Sequence, residues 1–423
     1  MSEYLSQLAK EHSTARHRGI YSVCSAHPWV LEAALRHALN QDGPLLIEAT
    51  CNQVNQFGGY TGMTPGAFRK FVESIADRVA FPRHRIILGG DHLGPHPWTQ
   101  LPEDQAMQNA IAMVQQYVRE GFTKIHLDTS MACAGESSPL HDEVIANRAT
   151  ILCEAAEACA TGTKPVYVIG TEVPTPGGAT ESLTSVSVTT TESTELALES
   201  HRKAFLAAGL ASAWERVIAL VVQPGVEFGN DNVVDYEPGK ARHLSMLLRG
   251  HPGLVFEAHS TDYQRAQAYR ELVHDGFAIL KVGPELTFAM RQALFALARI
   301  EEECITPGDR SNLPQVLEKV MLKEPSQWLK HYHGTPEEQE YLRLHSYSDR
   351  IRYYWHYPEV QDAVQKLMTN LDGHPISESM LSDYLPEQYR KVRAGRLSKR
   401  PLPLVLDKIS DVLEEYAGAC VSR

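Results

Sequence analysis

The sequence lacks a hydrophobic run long enough to cross a membrane. None of its apolar stretches approaches the ~20 consecutive residues that a transmembrane helix requires. The first residues, Met1–Lys10, are polar and contain no apolar segment of the kind found in a secretory signal peptide. These features predict a cytoplasmic protein that does not act on membranes.

Positive charge is also scarce. Lysine and arginine number 40 against 52 aspartates and glutamates, which gives a formal net charge of −12. Such a surface disfavours nucleic acid as a partner. It does not exclude a small phosphorylated ligand, because a local cation or a helix N-terminus binds phosphate within an acidic protein.

Cysteine is neither abundant nor patterned. The seven cysteines are odd in number and form no C-x-x-C pair. This usage argues against a disulfide scaffold and a cysteine zinc site, and it is typical of reduced thiols in a reducing compartment. We interpret Cys24 and Cys51, which lie near predicted strand ends, as packing residues.

The chain is rich in short apolar runs separated by amphipathic stretches. Strands that alternate with helices indicate parallel strands with helical crossovers, and eight is the number that closes a (β/α)8 TIM barrel. An open doubly wound sheet is the competing architecture. The predicted strands are Gly19–Val23, Pro44–Thr50, Ile86–His92, Lys124–Asp128, Val166–Val173, Val217–Gly225, Leu254–Ser260 and Ala278–Gly283.

The strand signal stops after the helix predicted at Glu285–Glu303. We therefore predict a barrel over residues 1–304 and a helical C-terminal extension over residues 305–423 that packs on it. A Ser/Thr-rich stretch, Thr175–Thr194, is interpreted as a surface insertion. Within the extension, the cluster Asp349–Trp355 combines Arg, Tyr and Trp. It is either a helical segment packed on the barrel, or a lid or subunit interface.

Polar residues gather at the predicted carboxyl ends of the strands, where barrel enzymes place their active sites. Any one of them has a structural explanation as a cap or an ion pair, but a whole ring of costly polar groups favours a functional pocket. Period-2 alternation puts Lys124, His126 and Asp128 on one face of their strand. The residues at the strand ends are Ser25, His27, Glu48, Asp91, His92, Asp128, Glu172, Gln223, Glu257, His259 and Lys281.

The motif Gly89-Gly90-Asp91-His92 is the sharpest local signal. The glycines would let a ligand approach the backbone, and the Asp-His pair offers a proton acceptor beside an imidazole. With His259 it would provide two nitrogen ligands for Zn²⁺ or another divalent ion, and a catalytic zinc usually has three protein ligands. Glu172, Glu257 and Gln223 are candidates for the third. His126 and His27 are interpreted as core histidines.

A phosphate site is expected after the last two strands. Ser260 and Thr261 follow the seventh strand and Gly283 follows the eighth, each beside a predicted helix start; ordinary helix capping is the alternative. Lys281 would add a positive charge. Lys281 and Lys124 are also candidates for a Schiff-base nucleophile, whereas the Asp-His pair favours metal-assisted chemistry.

Several motifs together resemble one known family, the Z subunits of class II D-tagatose-1,6-bisphosphate aldolase. The resemblance extends essentially end to end. Its clearest motifs are Y-S-V-C-S-A-H-P at 21–28, G-G-D-H-L-G-P at 89–95, K-I-H-L-D at 124–128, F-E-A-H-S-T-D-Y at 256–263, I-L-K-V-G-P at 279–284 and Y-S-D-R-I-R-Y-Y-W at 347–355.

The resemblance implies an accessory protein in galactitol or N-acetylgalactosamine breakdown. Its partner would be the Y subunit, which carries the zinc aldolase site and depends on the Z subunit for activity and stability. Some relatives are regarded as D-tagatose 6-phosphate 4-epimerases, so a phosphorylated ketohexose is the alternative partner. A kinase label also exists, but the sequence contains no phosphate loop of the form G-x-x-x-x-G-K-[ST].

Comparison with true class II aldolases suggests roles. Asp91-His92 and His259 are similar to two of their zinc-site segments, but no histidine lies near Gln223, where their middle zinc ligand should fall. This departure argues against a three-histidine zinc site of that type. The resulting assignment is catalytic roles for Asp91, Glu172, Asp128 and Lys281; substrate or phosphate contacts for Glu48, Gln223, Ser260, Thr261 and Gly283; and metal ligands at His92 and His259. A homo-oligomer is possible.

Overall fold

The computed structural model describes residues 2–12, 17–171 and 186–421. Eight parallel strands close into a barrel, in which each strand pairs with its neighbours in chain order and β10 pairs with β1. The predicted TIM barrel is confirmed, and the open sheet is wrong. The barrel strands are β1 Ile20–Val23, β2 Leu45–Thr50, β3 Ile86–Leu93, β4 Lys124–Leu127, β5 Val166–Ile169, β6 Val217–Val222, β9 Val255–Ala258 and β10 Ile279–Val282.

Two features between β6 and β9 were not predicted. A short antiparallel hairpin, β7 Glu227–Phe228 and β8 Val233–Val234, interrupts the alternation of strand and helix. The strand β6 also ends at Val222, before Gln223-Pro224, because proline cannot donate a ladder hydrogen bond. Most of the predicted insertion at Thr175–Thr194 lies outside the described residues, and α6 begins at Thr191.

Helices surround the barrel and form the C-terminal extension. Within the described residues they are α1 Ser2–His12, α2 Pro28–Leu39, α3 Pro65–Arg78, α4 Glu103–Arg119, α5 Asp142–Cys159, α6 Thr191–Ala207, α7 Ala211–Trp214, α8 Pro238–Leu247, α9 Ala266–His274, α10 Pro284–Cys304, α11 Leu313–Lys323, α12 Pro336–His345, α13 Pro358–Gly373, α14 Glu378–Tyr384, α15 Pro386–Arg393 and α16 Pro401–Cys420. None of these helices is long and apolar enough to span a bilayer.

Helix α1 closes the amino-terminal end of the barrel. Its side chains Leu5, Leu8 and Ala9 pack with inward-facing strand residues such as Leu46 and Ile87 in an apolar cluster separate from the main core. The amino-terminal end of the barrel interior is therefore filled by apolar side chains. Polar residues of the barrel interior are concentrated toward the carboxyl ends of the strands.

Replacing Leu5 by alanine should destabilise this plug. Leu5 is fully buried, and truncation of a buried leucine costs about 2–5 kcal/mol through lost transfer energy and the cavity left behind. Urea unfolding of Leu5→Ala should show this loss. Leu322→Ala, on a side chain that is 54% exposed, serves as the control and should change stability by no more than about 0.5 kcal/mol. Equal effects of the two substitutions would contradict the plug.

The C-terminal extension packs directly on barrel elements. Helix α16 contacts α2, α9 and α10, and the Gly19 N–H donates to the Cys420 carbonyl at 3.1 Å. Buried residues of the barrel and the extension belong to one continuous hydrophobic cluster. The barrel helix α10 ends at Cys304, but a domain boundary at that residue stays a prediction because the two parts share a core.

Candidate active site

A cavity of about 450 Å³ lies at the carboxyl ends of the barrel strands. This volume is suited to a small-molecule ligand. Among the residues assigned from the sequence, six line it: Asp91, His92, His259, Ser260, Lys281 and Gly283. The opposite wall comes from the C-terminal extension and includes Arg352, Tyr353 and Trp355.

Beneath the cavity lies a buried layer of alternating charges. The Lys124 ammonium is 2.5 Å from Glu48 Oε1 and 2.7 Å from Glu257 Oε2, and all three side chains are fully buried. Lys281 forms ion pairs with Glu48 and with Asp91, the latter at 2.9 Å. Because each buried charge has an opposite partner, the layer tolerates burial that isolated ions would not. Glu48 does not line the cavity and acts as a support beneath it.

The first glycine of the Gly89-Gly90 motif makes room for this layer. In the strand register, Gly89 lies between Glu48 of β2 and Lys124 of β4. A Cβ at position 89 would lie 2.8 Å from the Glu48 side chain, and one at Gly90 would lie 2.5 Å from Leu93. The two glycines therefore make room for neighbouring protein side chains. These contacts do not support the prediction that a ligand approaches the backbone of the glycines.

Both lysines are held as ammonium ions. Burial opposes the charge of Lys281, but Asp91 and other nearby anions keep its pKa well above the ordinary value. Burial likewise opposes the charge of Lys124, and Glu257 and Glu48 raise its pKa. A Schiff-base nucleophile needs a neutral amine. The geometry therefore disfavours that alternative and assigns Lys281 the part of a fixed positive charge at the cavity.

Three histidines converge above the charged layer. The ring centroids of His92, His126 and His259 are 4.8–5.3 Å apart. His92 and His259 were predicted site residues, whereas His126 was interpreted as a core histidine. The signal for His126 was its position on the same strand face as Lys124 and Asp128.

Each of these imidazoles uses one ring nitrogen on a carboxylate. His92 Nδ1 lies 2.8 Å from Asp128 Oδ2, and His259 Nε2 lies 3.0 Å from Glu257 Oε1. His126 Nδ1 lies 2.9 Å from Asp91 Oδ1. Carboxylates that hold the outer nitrogen of a histidine are the usual support of metal-binding imidazoles. Asp128 is thus a positioning residue for His92 and does not line the cavity.

The second nitrogen of His126 is available to a metal. His126 Nε2 is buried and has no hydrogen-bond partner within the described part of the chain. The backbone N–H of His92 also lies 3.2 Å from His126 Nδ1. This ring nitrogen cannot accept that hydrogen bond and donate one to Asp91 at the same time. Because the contact with the Asp91 carboxylate is shorter, we infer that Nδ1 carries the proton and donates it to Asp91, which leaves the lone pair of His126 Nε2 free.

The donor set therefore fits a divalent ion. Ligand atoms of Asp91, His126, Glu257 and His259 all lie within 4.8 Å of one another. Two imidazole nitrogens with two carboxylate oxygens are ligands that Zn²⁺ accepts. His92 is not in that group of four, and its ring lies beside it.

Asp91 is a carboxylate that both faces the cavity and is ionised. It lines the cavity with Asp262, and these are the two acidic residues of its described lining. Burial opposes its ionisation, but His92 and Lys281 hold its pKa well below the ordinary range. Asp91 is therefore present as a carboxylate and accepts hydrogen bonds.

Backbone strain directs two of the lining side chains. His92 has φ +50° and Ser260 has φ +52°, both in the left-handed region that non-glycine residues seldom adopt. Each follows the regular part of a barrel strand, and the β3–β4 register shifts between Gly90 and Leu93. Strain of this kind is characteristic of functional sites, where surrounding contacts enforce it.

Two further sequence-assigned residues, Gln223 and Thr261, do not line the cavity. The Gln223 side-chain oxygen accepts from the N–H groups of Gly225 and Val226 at 2.8 and 2.9 Å, which caps a local turn. Thr261 is fully buried, and its hydroxyl donates to the Lys281 carbonyl at 2.6 Å. Glu172 lies outside the described residues. Gln223 therefore stabilises its own turn, and Thr261 supports the strand that carries Lys281.

Asp262, in the cavity lining, is paired with a second carboxyl group, that of the buried Glu285. Burial raises the pKa of Asp262 to about 6. Burial and the nearby Asp262 raise the pKa of Glu285 to about 8. Glu285 Oε2 accepts from the Tyr263 N–H at 2.7 Å and the Tyr269 hydroxyl at 3.1 Å. Two carboxyls sharing a buried site favour the protonated form of Glu285 near neutral pH.

This pair makes stability depend on pH. A glutamate whose pKa is raised from 4.5 to about 8 on folding stabilises the fold fully below pH 4.5, and that contribution is lost as the pH rises toward 8. Glu285→Gln keeps a neutral side chain. The free energy of unfolding of Glu285→Gln relative to wild type should therefore increase from pH 5 to pH 8, by at most about 1.4 kcal/mol per pH unit, and its relative melting temperature should rise with it.

Thermal unfolding across this range checks the expectation. Glu387→Gln, on the surface beside Arg390, is the matched control and should show no such trend. A difference between Glu285→Gln and wild type that stayed constant with pH would contradict the assigned protonation.

A family model described as D-tagatose-1,6-bisphosphate aldolase subunit GatZ/KbaZ-like matches residues 5–421. The chain belongs to this GatZ/KbaZ-like family. The resemblance predicted from the sequence motifs is confirmed.

One solved structure is closely similar to this chain. The crystal structure of a probable tagatose 6 phosphate kinase from Sinorhizobium meliloti 1021 is 52% identical, with a TM-score of 0.89 over 95% of this chain and 100% of its own. The YdjI aldolase from Escherichia coli K12 is 10% identical, with a TM-score of 0.41 over 88% and 98%. Fructose-bisphosphate aldolase from Campylobacter jejuni is 14% identical, with a TM-score of 0.45 over 90% and 94%. The two aldolase matches are too distant to carry an argument.

The site of this GatZ/KbaZ-like chain contains one more histidine than the sequence predicted. Two histidines, His92 and His259, were expected there, because the sequence has no histidine near Gln223 to supply a third. The structure adds His126 from β4, so three imidazoles meet without a contribution from β6.

Proposed function

We propose that this chain is a metal-assisted enzyme acting on phosphorylated ketohexoses, which interconverts D-tagatose 6-phosphate and D-fructose 6-phosphate by inversion at C4. The observation that carries the proposal is that His92, His259, Asp91 and Lys281 line one cavity, with the buried His126 beside them and a carboxylate supporting each histidine. A subunit that only supported a partner would not need so many buried polar groups in one place.

The proposed reaction is a retro-aldol cleavage followed by aldol addition. A carboxylate takes the proton of the C4 hydroxyl, the C3–C4 bond breaks, and its electron pair moves onto the C2 ketone oxygen. The resulting aldehyde rotates and is attacked from its other face. The C4 oxygen then regains its proton, so atoms and electrons balance and no oxidant is required.

Each role is assigned to a residue of this chain. Asp91 is the carboxylate that moves the hydroxyl proton, because it lines the cavity whereas Glu48, Glu257 and Asp128 do not. The Lys281 ammonium, 2.9 Å from Asp91, stabilises developing negative charge on oxygen. A bound Zn²⁺ or similar ion, held by His126 and His259 from the group of four, would polarise the substrate carbonyl.

The fate of hydrogen at C4 tests this mechanism. Retro-aldol chemistry breaks a carbon–carbon bond and leaves the C4 hydrogen in place, whereas inversion by deprotonation would exchange it with solvent. Turnover of fructose 6-phosphate in D₂O, followed by NMR, should give tagatose 6-phosphate without deuterium at C4. Deuterium at C4 would contradict the retro-aldol step.

The second candidate is a component of a two-subunit tagatose-1,6-bisphosphate aldolase in galactitol or N-acetylgalactosamine breakdown in the cytoplasm. It is supported by the family description, which names an aldolase subunit. In that case a catalytic Y-type zinc aldolase should co-elute with this chain on a sizing column and gain activity and stability from it. Separate elution without any gain would exclude this role. The Sinorhizobium relative is named a probable kinase, but this sequence contains no phosphate-binding loop of the form G-x-x-x-x-G-K-[ST] that would support a kinase activity.

A further inference from the structure

The usual phosphate position of a (β/α)8 barrel is blocked in this chain. Phosphate commonly binds at a helix N-terminus after the last strands. Here the N–H groups of Gly283 and Glu285, at the start of α10, both donate to Asp262 Oδ1 at 3.0 and 2.9 Å. Pro284 has no N–H to offer, and the Leu286 N–H donates to the Gly283 carbonyl. The protein's own carboxylate occupies the anion position, so the predicted phosphate contact at Gly283 has no free donor.

A second cation faces the same cavity. Its described lining contains two residues with permanent positive charge, Lys281 and Arg352. The Lys281 ammonium has three carboxylates around it, those of Glu48, Asp91 and Glu257. Arg352 has no carboxylate within 4 Å in the described part of the chain. Its hydrogen bonds there go to the Ser348 and Asp349 carbonyls and, at 2.8 Å, to the Tyr353 hydroxyl.

Arg352 is held in place by contacts with the barrel. It belongs to a one-turn 3-10 helix, Arg350–Tyr353, that follows Asp349 in a left-handed conformation with φ +45°. The Asp349 carboxylate accepts from Arg291 Nε at 2.7 Å and from the Thr287 hydroxyl at 2.6 Å, both on α10. The segment is thus anchored to the helix that follows the last barrel strand, and the guanidinium is pre-organised at the cavity.

We propose that the phosphoryl group of the substrate binds Arg352 of the C-terminal extension, and not the N-terminus of α10. A guanidinium presents several N–H groups in a planar fork that matches phosphate, and Nε of Arg352 has no partner among the described residues. The extension then forms part of the active site: Asp91 and Lys281 face the reacting carbons, and Arg352 holds the anionic end. This inference rests on the proposed phosphorylated ketose.

Binding measurements separate the phosphate from the sugar. Calorimetric titration of the full chain with fructose 6-phosphate and with fructose should show that Arg352→Gln weakens binding of the phosphorylated sugar roughly 10- to 100-fold. Binding of fructose should be unchanged. Arg352→Lys should recover part of the loss, because it restores the charge without the fork. Arg350→Gln is the matched control, since Arg350 is buried in the same turn but does not line the cavity.

The outcomes distinguish this inference from the proposed function. Equal losses for both sugars, or no loss in Arg352→Gln, would overturn the phosphate site. A similar loss of phosphate preference in Arg350→Gln would also overturn it, because the effect would then be structural. Wild-type binding that depends on Arg352 without any turnover would preserve the phosphate site and refute the epimerase.

Discussion

Asp91→Asn is expected to lower kcat for the interconversion of fructose and tagatose 6-phosphates by roughly 10²- to 10⁴-fold, the usual contribution of a general acid–base group. Asparagine has the same shape but cannot take a proton from the C4 hydroxyl. It also removes the anion that pairs with Lys281 at 2.9 Å and with His126 at 2.9 Å. Steady-state kinetics in both directions measure the effect.

The interpretation of that loss needs a test of folding. Asp275→Asn changes a carboxylate that accepts from the Tyr236 hydroxyl outside the cavity, and it should leave kcat unchanged. The thermal unfolding of Asp91→Asn should stay cooperative, since a large loss of kcat with an intact fold is the expected pattern. Turnover of Asp91→Asn at the wild-type rate would remove Asp91 from the mechanism.

His126→Gln should weaken zinc binding by about 100-fold or more, through loss of a ligand or of its carboxylate-supported orientation. The residue lies on β4 with its Nε2 buried and unpartnered among the described residues, and glutamine cannot place an imidazole nitrogen there. Competition with a chromogenic chelator measures the zinc affinity without reference to catalysis. Removal of the metal from wild type by the same chelator should abolish turnover, and added zinc should restore it.

The chain offers a matched control for His126. His201 is also fully buried, holds one ring nitrogen on the Ala197 carbonyl at 2.8 Å, and has an unpartnered Nε2 within the described residues. It is not part of the metal-capable group of Asp91, His126, Glu257 and His259. His201→Gln should therefore lower stability without changing zinc affinity. Equal zinc affinity in His126→Gln and wild type would contradict the metal site.

Much of the barrel was predictable because its signals are local. The apolar runs of β2 and β3 are flanked by turn residues, and their observed bounds differ from the predicted ones by one residue at one end. The length of an apolar run predicted the end of a strand less well where glycine or proline follows that strand. The predicted run Val217–Gly225 ended three residues too late, and the hairpin after it has strands of two residues.

The site was harder to predict because side-chain direction depends on backbone geometry that the sequence does not display. His259, Ser260 and Thr261 are consecutive, yet the first two line the cavity and Thr261 is buried against Tyr416. The positive φ of Ser260 accompanies that change of direction. Predicted phosphate contacts at Thr261 and Gly283 followed the general pattern of barrels, but Asp262 already occupies the donors beside Gly283.

The parts that His126 and Arg352 take in the site could be recognised only from the three-dimensional structure. His126 resembled a core histidine until its ring was found 5.1 Å from His92 and 5.3 Å from His259. Arg352 is remote in sequence from every barrel strand, and its cluster had two open interpretations, packing or a lid or interface. The structure brings Arg352, Tyr353 and Trp355 to the wall of the cavity. That position depends on long-range contacts such as Arg291–Asp349, which no local pattern predicts.

The most direct test of the central claim is incubation of the purified chain alone with fructose 6-phosphate and Zn²⁺, followed by ¹³C NMR of the sugar. We expect that tagatose 6-phosphate appears, that the same equilibrium mixture forms from tagatose 6-phosphate, and that Asp91→Asn slows both conversions by roughly 10²- to 10⁴-fold. An unchanged spectrum with every divalent metal tried would contradict an independent enzyme, and the role of this chain would then be sought in a complex with an aldolase partner.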